Sequence, residues 1–396
     1  MNETHVTIRQ KFAGKYKGGY PLIFKEALAS TNKLNEEGTI LYLKDEKGSF
    51  AGRGYYGRQN KGYGWVLTQN KDERIDQAFF ENRFDLAFQK RAGLFQDPDT
   101  TAFRMFNGEG DGIGGLTIDN YDGYLLLQWY SEGMYTFKET VIAALESVTS
   151  FKGIYEKKRF RSGGKYIDDD DFVTGERGSF PILVKENGLT FAVYLNEGAM
   201  TGVFLDQRHV RRSIRDHYSE GRTVLNTFSY TGAFSVFAAA GGAAHTTSVD
   251  LANRSYEKTI EQFSVNGLDY EAHNIVVQDV FDYFNYAVKK GLAFDTVVLD
   301  PPSFARSKKK TFSAEKDYTA LLKQAITVTE DDGVIVASTN AAKVPMKKFK
   351  GFIEQAFSET GGKYKLIEEH SLPEDFTVHP AFPEGDYLKV LFIRKK

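Results

Sequence analysis

Hydrophobic and polar positions follow three successive patterns along the chain. Up to about residue 72, the short apolar stretches 6–8, 38–43 and 62–67 lie between Gly, Asn and Asp turns, which predicts an all-β region of short strands. From 75 to 95, Ile75, Phe79, Phe80, Phe84 and Ala87 recur near helical spacing between charged residues. Strands at 115–119 and 124–129 flank Asn120-Tyr121-Asp122-Gly123, a hairpin with a DG turn. A helix at 136–148 and a strand at 153–156 complete a small α+β region. From about 188 the pattern becomes strand and helix in alternation, with strands at 223–226, 246–250, 274–279, 294–300 and 333–339. That rhythm predicts a doubly wound α/β sheet. Two late strands, 363–372 and 387–394, have only a loop between them, which allows one antiparallel strand at the end. The expected divisions are 1–72, 73–187 and 188–396.

Composition narrows the field. Hydrophobic residues make up 41% and charged residues 26%, as in an ordinary globular protein. Lys+Arg 51 against Asp+Glu 53 leaves a net charge of -2, so any nucleic-acid contact must come from local basic patches. The chain has no cysteine, which excludes disulfides, zinc–thiolate sites and thiolate catalysis. Its seven histidines show no helical metal spacing, so no metal is expected. No apolar run approaches membrane-spanning length, and the first residues lack the layout of a signal peptide. A cytoplasmic protein without a membrane partner is the expectation.

Candidate chemistry gathers at the ends of the predicted parallel strands. The first strand runs into Phe228-Ser229-Tyr230-Thr231-Gly232, a turn with one glycine and no G-x-G-x-x-G phosphate cradle, which argues against NAD. Asp250 ends the second strand, 18 residues after Gly232, where a carboxylate can accept both hydroxyls of a ribose. Asp279 ends the third, where it can meet an adenine edge. Asp300-Pro301-Pro302-Ser303-Phe304 ends the fourth. The prolines cannot donate to a ladder and throw the chain off the sheet edge. Acids at three strand ends without a phosphate loop suit an adenosine ligand lacking phosphates, namely S-adenosylmethionine, with S-adenosylhomocysteine as product.

Phe228–Gly232, the run Gly202-Val203-Phe204-Leu205-Asp206-Gln207-Arg208, Asp300-Pro301-Pro302, and Pro383-Glu384-Gly385-Asp386-Tyr387-Leu388-Lys389 resemble the bacterial large-subunit (23S) ribosomal RNA methyltransferases. The resemblance covers nearly the whole chain. It implies an N-terminal β-barrel-like PUA RNA-binding domain, a small α+β central domain and a class I, Rossmann-like methyltransferase domain with an antiparallel last strand. It also implies that Phe204, Asp206, Gln207, Phe228, Ser229, Tyr230, Asp250, Asp279 and Asp300 surround the cofactor, to which Gly232 adds close backbone approach.

One branch of that family methylates cytosine C5 through a cysteine after the fifth strand. Here the matching segment is Ala337-Ser338-Thr339-Asn340-Ala341-Ala342-Lys343, and no thiol exists to serve. A branch that methylates guanine N7 is more similar around Asp300–Lys308 and Ser338–Lys343. N7 carries an in-plane lone pair and loses no proton, so the reaction needs positioning rather than a base. In this reading Asp300, Pro301 and Pro302 shape the site, Phe304 stacks on the target base and Asn340 bonds its edge. The alternative is a member of the C5 branch that has lost catalysis and acts as an RNA-binding assembly factor. For RNA, Arg9, Lys11, Lys15, Lys17 and Lys25 crowd the first 25 positions, while Arg306, Lys308, Lys309, Lys310 and Lys343 follow the fourth and fifth strands. Ribosomal RNA is the expected partner. Homodimerisation, the modified nucleotide and whether the target is free RNA or an assembling subunit are open at this level.

Overall fold

The computed structural model describes residues 3–59, 62–160, 171–198, 200–306 and 311–396. These form two compact units. The first holds Met1–Val184, Val193–Thr201 and Glu374–Gly385; the second holds Lys185–Ala192, Gly202–Pro373 and Asp386–Lys396.

In the first unit, β1 (Glu3–Ile8), β2 (Ile40–Asp45), β3 (Phe50–Tyr56) and β4 (Gly64–Thr68) form a four-stranded sheet in that order. The segment from Tyr20 to Ala29 closes it. On one side Leu28 bridges Ile8 and the Ala29 amide donates to Thr7; on the other Leu22 bridges Trp65 and the Ile23 amide donates to Gly64. The barrel-like closure follows from these bonds. The region is not all-β, however. Residues Gln10–Lys17 form α1, with Ala13 and Tyr16 buried one turn apart and the basic residues on the remaining faces. Three helical turns' worth of periodicity is absent from so short a helix, so the sequence alone does not show it.

A five-stranded sheet of β5 (Ala102–Asn107), β6 (Leu116–Tyr121), β7 (Tyr124–Trp129), β8 (Gly153–Lys158) and β9 (Phe172–Gly175) follows, also in sequential order. The connections within this part include α2 (Gln77–Lys90), α3 (Ala92–Phe95), α4 (Glu132–Tyr135) and α5 (Lys138–Val148). Asp76 caps α2 by accepting the Phe79 amide. The parallel pairing of β7 with β8 needs a crossover, and α4 and α5 supply it. One hydrophobic cluster runs from Val6 through Phe80, Trp129 and Ile154 to Phe382, so the sheets on either side of residue 72 share a single core.

A two-stranded ribbon, β10 (Ile182–Glu186) with β11 (Leu189–Val193), carries the chain into the second unit. There β12 (Thr223–Thr227), β13 (His245–Asp250), β14 (Asn274–Val277), β15 (Phe294–Leu299), β18 (Thr329–Thr339), β19 (Tyr364–His370) and β20 (Lys389–Lys395) build one seven-stranded sheet. Between β15 and β18 in sequence stands a separate small hairpin, β16 (Phe304–Arg306) with β17 (Thr311–Ser313). The large sheet has the order β14-β13-β12-β15-β18-β20-β19. The first five are parallel and β20 runs antiparallel to both neighbours. Val297, Val298 and Leu299 are all fully buried, as a central strand covered on both faces requires. Val297 and Leu299 join the cluster with Leu225, Ile335 and Tyr318, whereas Val298 faces the cluster with Val224, Val336 and Phe392. The helices are α6 (Arg208–His217), α7 (Ala233–Ala240), α8 (Arg254–Ser264), α9 (Val280–Lys290), α10 (Ala314–Thr327) and α11 (Met346–Thr360).

The loop between β19 and β20 does not stay with its own sheet, because Glu374–Gly385 belongs to the first unit. Arg91 holds it there. This fully buried guanidinium pairs with Asp111 (2.7 Å) and donates to the carbonyls of Asp375 (2.5 Å) and Arg104 (2.7 Å). Asp375 in turn accepts the Arg104 amide at 2.8 Å. Removing the cation leaves a buried carboxylate and several carbonyls unanswered. Arg91→Ala is expected to cost about 3–5 kcal/mol of stability, seen as a lower midpoint in urea unfolding of the full chain. An unchanged midpoint contradicts this account.

Candidate active site

Strand order reverses between β12 and β15, so their carboxyl ends splay the following loops to opposite sides and open a crevice. The turn after β12 is unusual backbone. Phe228 (φ 55°), Tyr230 (φ 52°) and Gly232 (φ 77°) are all left-handed, and two of the three are not glycine. Such strain persists only where surrounding bonds hold it. Here the Ser229 amide donates to Val249, the Tyr230 amide to Asp250 Oδ2 (2.9 Å), and Thr231 Oγ1 to the Gly202 carbonyl (2.7 Å). A side chain at Gly232 would place its Cβ 2.5 Å from Thr259 Cγ2 of α8. The glycine is therefore demanded by packing as well as by φ.

Asp250 is the last residue of β13 and accepts a second amide, from Ala252, at 2.9 Å. Asp279 lies two residues beyond β14 rather than within it. Its Oδ1 caps α9 by accepting the amides of Phe281 (2.9 Å) and Asp282 (3.3 Å), which leaves Oδ2 outside that cap. Phe204 is 40% exposed and stands 5.4 Å, centroid to centroid, from the Tyr230 ring. Its carbonyl is held by buried Arg211, which also forms a two-pronged pair with Glu186 at 2.6 and 2.7 Å. Phe228 packs near Phe312 of β17.

Asp300 follows β15 directly. Gln207 Nε2 reaches both Asp300 Oδ1 (3.1 Å) and Ser338 Oγ (2.9 Å), tying the segment before α6 to the ends of β15 and β18. Burial drives the Asp300 carboxyl up to about 6, and the nearby charge of Asp206 adds to the rise. Hydrogen bonds from Ser338 and Gln207 and the charge of Arg211 oppose it. Beneath this group the Tyr318 hydroxyl donates to the Ser338 carbonyl at 2.6 Å. Asp206 accepts the Tyr387 hydroxyl at 2.8 Å. Pro301 is buried, whereas Pro302 and Ser303 are exposed and Phe304 is 63% exposed. Ser303 Oγ donates to Asn340 Oδ1 at 2.6 Å, which brings the loops after β15 and β18 together and, among the described residues, leaves the amide N–H groups free to donate.

The structure thus gathers Gln207 and Asp300 with Ser338, Phe204 with Tyr230, and Ser303 with Asn340. Ser338, Tyr318 and Tyr387 carry no chemical signal of their own in the sequence. Tyr387 lies within the Pro383–Lys389 run, while Tyr318 shows only as one apolar position of α10. A separate open cavity of about 420 Å³, lined by His209, Arg212, His217, Glu368 and His370 among others, lies between α6 and β19. None of the acids at the strand ends lines it.

The basic residues are distributed less simply. Lys343 is exposed. Arg306 ends β16, and Lys308, Lys309 and Lys310 lie outside the described residues. In the first unit, Arg9 Nε donates to the Leu28 carbonyl (3.1 Å), and Lys15 sits 3.5 Å over the Tyr20 ring. Lys17 pairs with Asp45 at 2.7 Å and holds that carboxyl below its usual range. Lys11 lies over Phe12. Among the described residues no group of His, Cys, Asp or Glu can hold a metal ion, and no helix is long and apolar enough to cross a membrane.

Comparisons with known proteins show the family. Residues 104–392 match the S-adenosylmethionine-dependent methyltransferase family, and residues 6–69 match the PUA-like domain. The chain is 64% identical over 393 residues to the putative ribosomal RNA large subunit methyltransferase YwbD of Bacillus subtilis, covering 99% of each. It is 30% identical over 381 residues to ribosomal RNA large subunit methyltransferase I of Aeromonas salmonicida, covering 95% of this chain and 96% of that one. A crystal structure of a putative methyltransferase complexed with SAH superposes with a TM-score of 0.90 at 39% identity, covering 100% of both chains. A putative SAM-dependent methyltransferase from Streptococcus mutans gives 0.89 at 37%, again covering 100% of both.

Asp300 offers a direct check on these electrostatics. Asp206→Asn removes a like charge and is expected to lower the Asp300 midpoint from about 6. Gln207→Leu removes a bond to the charged form and is expected to raise it. Carbon-13 NMR titration of labelled aspartate reads both; midpoints that stay put in both variants refute the assignment of causes.

Proposed function

Because this chain belongs to the S-adenosylmethionine-dependent methyltransferases and uses that cofactor, we propose that it methylates a base of large-subunit ribosomal RNA, without a thiol, at guanine N7. The observation that carries the reading is the edge itself. The loop after β15 carries a half-buried carboxyl (Asp300) and an exposed aromatic (Phe304), and its Ser303 is bonded to an amide (Asn340), in a chain that has no cysteine. The named relatives point to ribosomal RNA as the substrate.

The residues fit the cofactor. Gln207 Oε1 is buried with no hydrogen-bond partner among the described residues, which suits a ligand bearing O–H or N–H donors. In this reading Phe204, Asp206, Gln207, Phe228, Ser229, Tyr230, Gly232, Asp250, Asp279 and Asp300 line its site. Asp250, already fixed by two backbone amides, keeps lone pairs for ribose hydroxyls. Oδ2 of Asp279 serves the adenine edge. When bound, the cofactor supplies a methyl group on a positively charged sulfur.

The target base stacks on Phe304 in this scheme. Asn340, its oxygen engaged by Ser303, donates an N–H to guanine O6 and so orients the adjacent N7. An exocyclic amine as target would instead ask the site for acceptors. The N7 lone pair forms the new bond to the methyl carbon as the carbon–sulfur bond breaks, and no proton moves. Positive charge passes to the base, where ionised Asp300 stabilises it. Pro301 and Pro302 hold the loop rigid, and Ser338 with Gln207 keeps the carboxyl oriented. In the same proposal the basic residues Arg306, Lys308, Lys309, Lys310 and Lys343 bind the RNA backbone, and Arg9, Lys11, Lys15 and Lys17 supply charge in the first unit. The division into 1–72 for RNA binding, 73–187 as a central domain and 188–396 for methyl transfer belongs to the same proposal.

The test is methyl transfer from labelled S-adenosylmethionine to ribosomal RNA from cells lacking this protein, with the nucleoside identified by mass spectrometry. Label in 7-methylguanosine is expected. Label in 5-methylcytidine overturns the assignment, and cofactor binding without transfer favours an RNA-binding assembly factor.

Two further outcomes follow from the site. Phe304→Ala and Asn340→Ala are each expected to lower kcat/KM by roughly 10- to 100-fold, since each removes one positioning contact. The pH profile of kcat/KM should fall below about 6 as Asp300 protonates, because only its ionised form offsets the product's charge. A profile that is flat through that range contradicts the role given to Asp300.

A further inference from the structure

The first unit contains a cavity of about 220 Å³ that the methyl-transfer site does not use. Its lining includes Pro21, Val66, Gln69, Arg83, Glu109 and His379. These come from the PUA-like domain, from α2, from the turn after β5 and from the loop Glu374–Gly385, all within this unit. Gly19 (φ 87°) and Gly112 (φ 95°) also border the cavity, so its rim there carries no side chains.

Besides the neutral side chains of Thr68 and Gln69, three titratable groups meet in it. Glu109 is partly accessible, yet no hydrogen bond from another residue reaches its carboxyl among the described residues, and burial pushes it above the usual carboxylate range. Such a group gains most from a ligand that brings N–H donors. Arg83 is pre-placed. It pairs with Glu73 at 3.1 Å, donates to Asn82 at 3.1 Å and stacks 4.5 Å from the Phe79 ring centroid. His379 accepts the Ala381 amide on Nδ1 at 3.1 Å, so the neutral ring carries its proton on Nε2. Burial lowers its pKa and favours that neutral form. These three groups therefore offer one acceptor pair and two donors, with Pro21 and Val66 as apolar walls.

We propose that this cavity is a socket for one unstacked guanine of the RNA, separate from the base that is methylated. The proposal rests on ribosomal RNA being the substrate. Guanine alone among the four bases has two adjacent donors, N1–H and N2–H, on one edge, which match the two oxygens of Glu109. Its O6 and N7 acceptors match Arg83 and His379. Adenine, cytosine and uracil lack the paired donors. Single-stranded RNA is read in this manner, by bases splayed out and bonded along their edges.

The experiment is fluorescence anisotropy of the full chain with labelled five-nucleotide RNAs, uridine throughout except for G, A, C, U or inosine at the centre. Guanosine is expected to bind at least about tenfold tighter than the others, since a missed pair of base-edge bonds costs about that much or more. Inosine, which lacks only the N2 amine, should lose most of the advantage. Glu109→Gln should abolish the guanosine preference while leaving the weaker RNAs unchanged, with thermal melting confirming the fold. Equal binding of all five RNAs, or of inosine and guanosine, overturns the proposal using the unaltered protein alone. So does a preference that survives Glu109→Gln. These titrations involve no methyl transfer, so a failed transfer assay leaves them intact, and base-blind binding leaves the methyltransferase reading standing.

Discussion

The parallel pairing of β12 with β15 is the constraint on which the candidate site depends. Thr227 pairs with Leu299, and Thr227 also pairs with Val249 on its other side. That register sets the ends of three strands level, and the chain after each must leave the sheet at the same edge. Asp250 and Asp300, each one residue beyond those paired positions, are placed by that fact. A shift of register would turn the buried faces of Val297, Val298 and Leu299 over and lose both hydrophobic clusters. The two cores thus hold the register, and the register holds the site.

Enclosing Asp300 at this edge opposes its ionisation, and the surroundings compensate only in part. Ser338, Gln207 and Arg211 favour the charged form, whereas burial and Asp206 disfavour it. The balance leaves a carboxyl that titrates near the physiological range. This suits a group whose charge matters when a cation forms beside it and is costly at other times. Gln207 makes the arrangement cooperative, because one amide nitrogen serves two strand ends while its oxygen remains buried and unmatched among the described residues.

The first unit is organised by a different device. Its two sheets share one core, and a loop that begins and ends in the other unit's sheet is packed into it through Arg91, Asn107 and Tyr20. Phe382 from that loop packs between Tyr20 and Trp65. The loop brings His379 to the cavity proposed to read a guanine. The same loop, His379–Pro383, reads in the sequence as a join between the last two strands and as a candidate cap for the methyl-transfer site.

Sequence by itself determined what depends on neighbouring residues. The alternation of buried strands and helices after 188, the acids and prolines at strand ends, the single-glycine turn at Gly232 and the absence of a thiol are all local signals, and the motif runs Gly202–Arg208 and Phe228–Gly232 carry the family. Tertiary structure decided what depends on partners far apart in the chain. Gln207 meets Asp300 and Ser338 across 93 and 131 positions, and Arg91 meets Asp375 across 284. The same holds for basic residues: Lys17 and Arg211 look alike in sequence, but one holds Asp45 and the other is buried against Glu186. Periodicity reports which face of an element is apolar. It carries no record of which polar group on another element will meet a given side chain, and those meetings set the charge state, the orientation and the cavities.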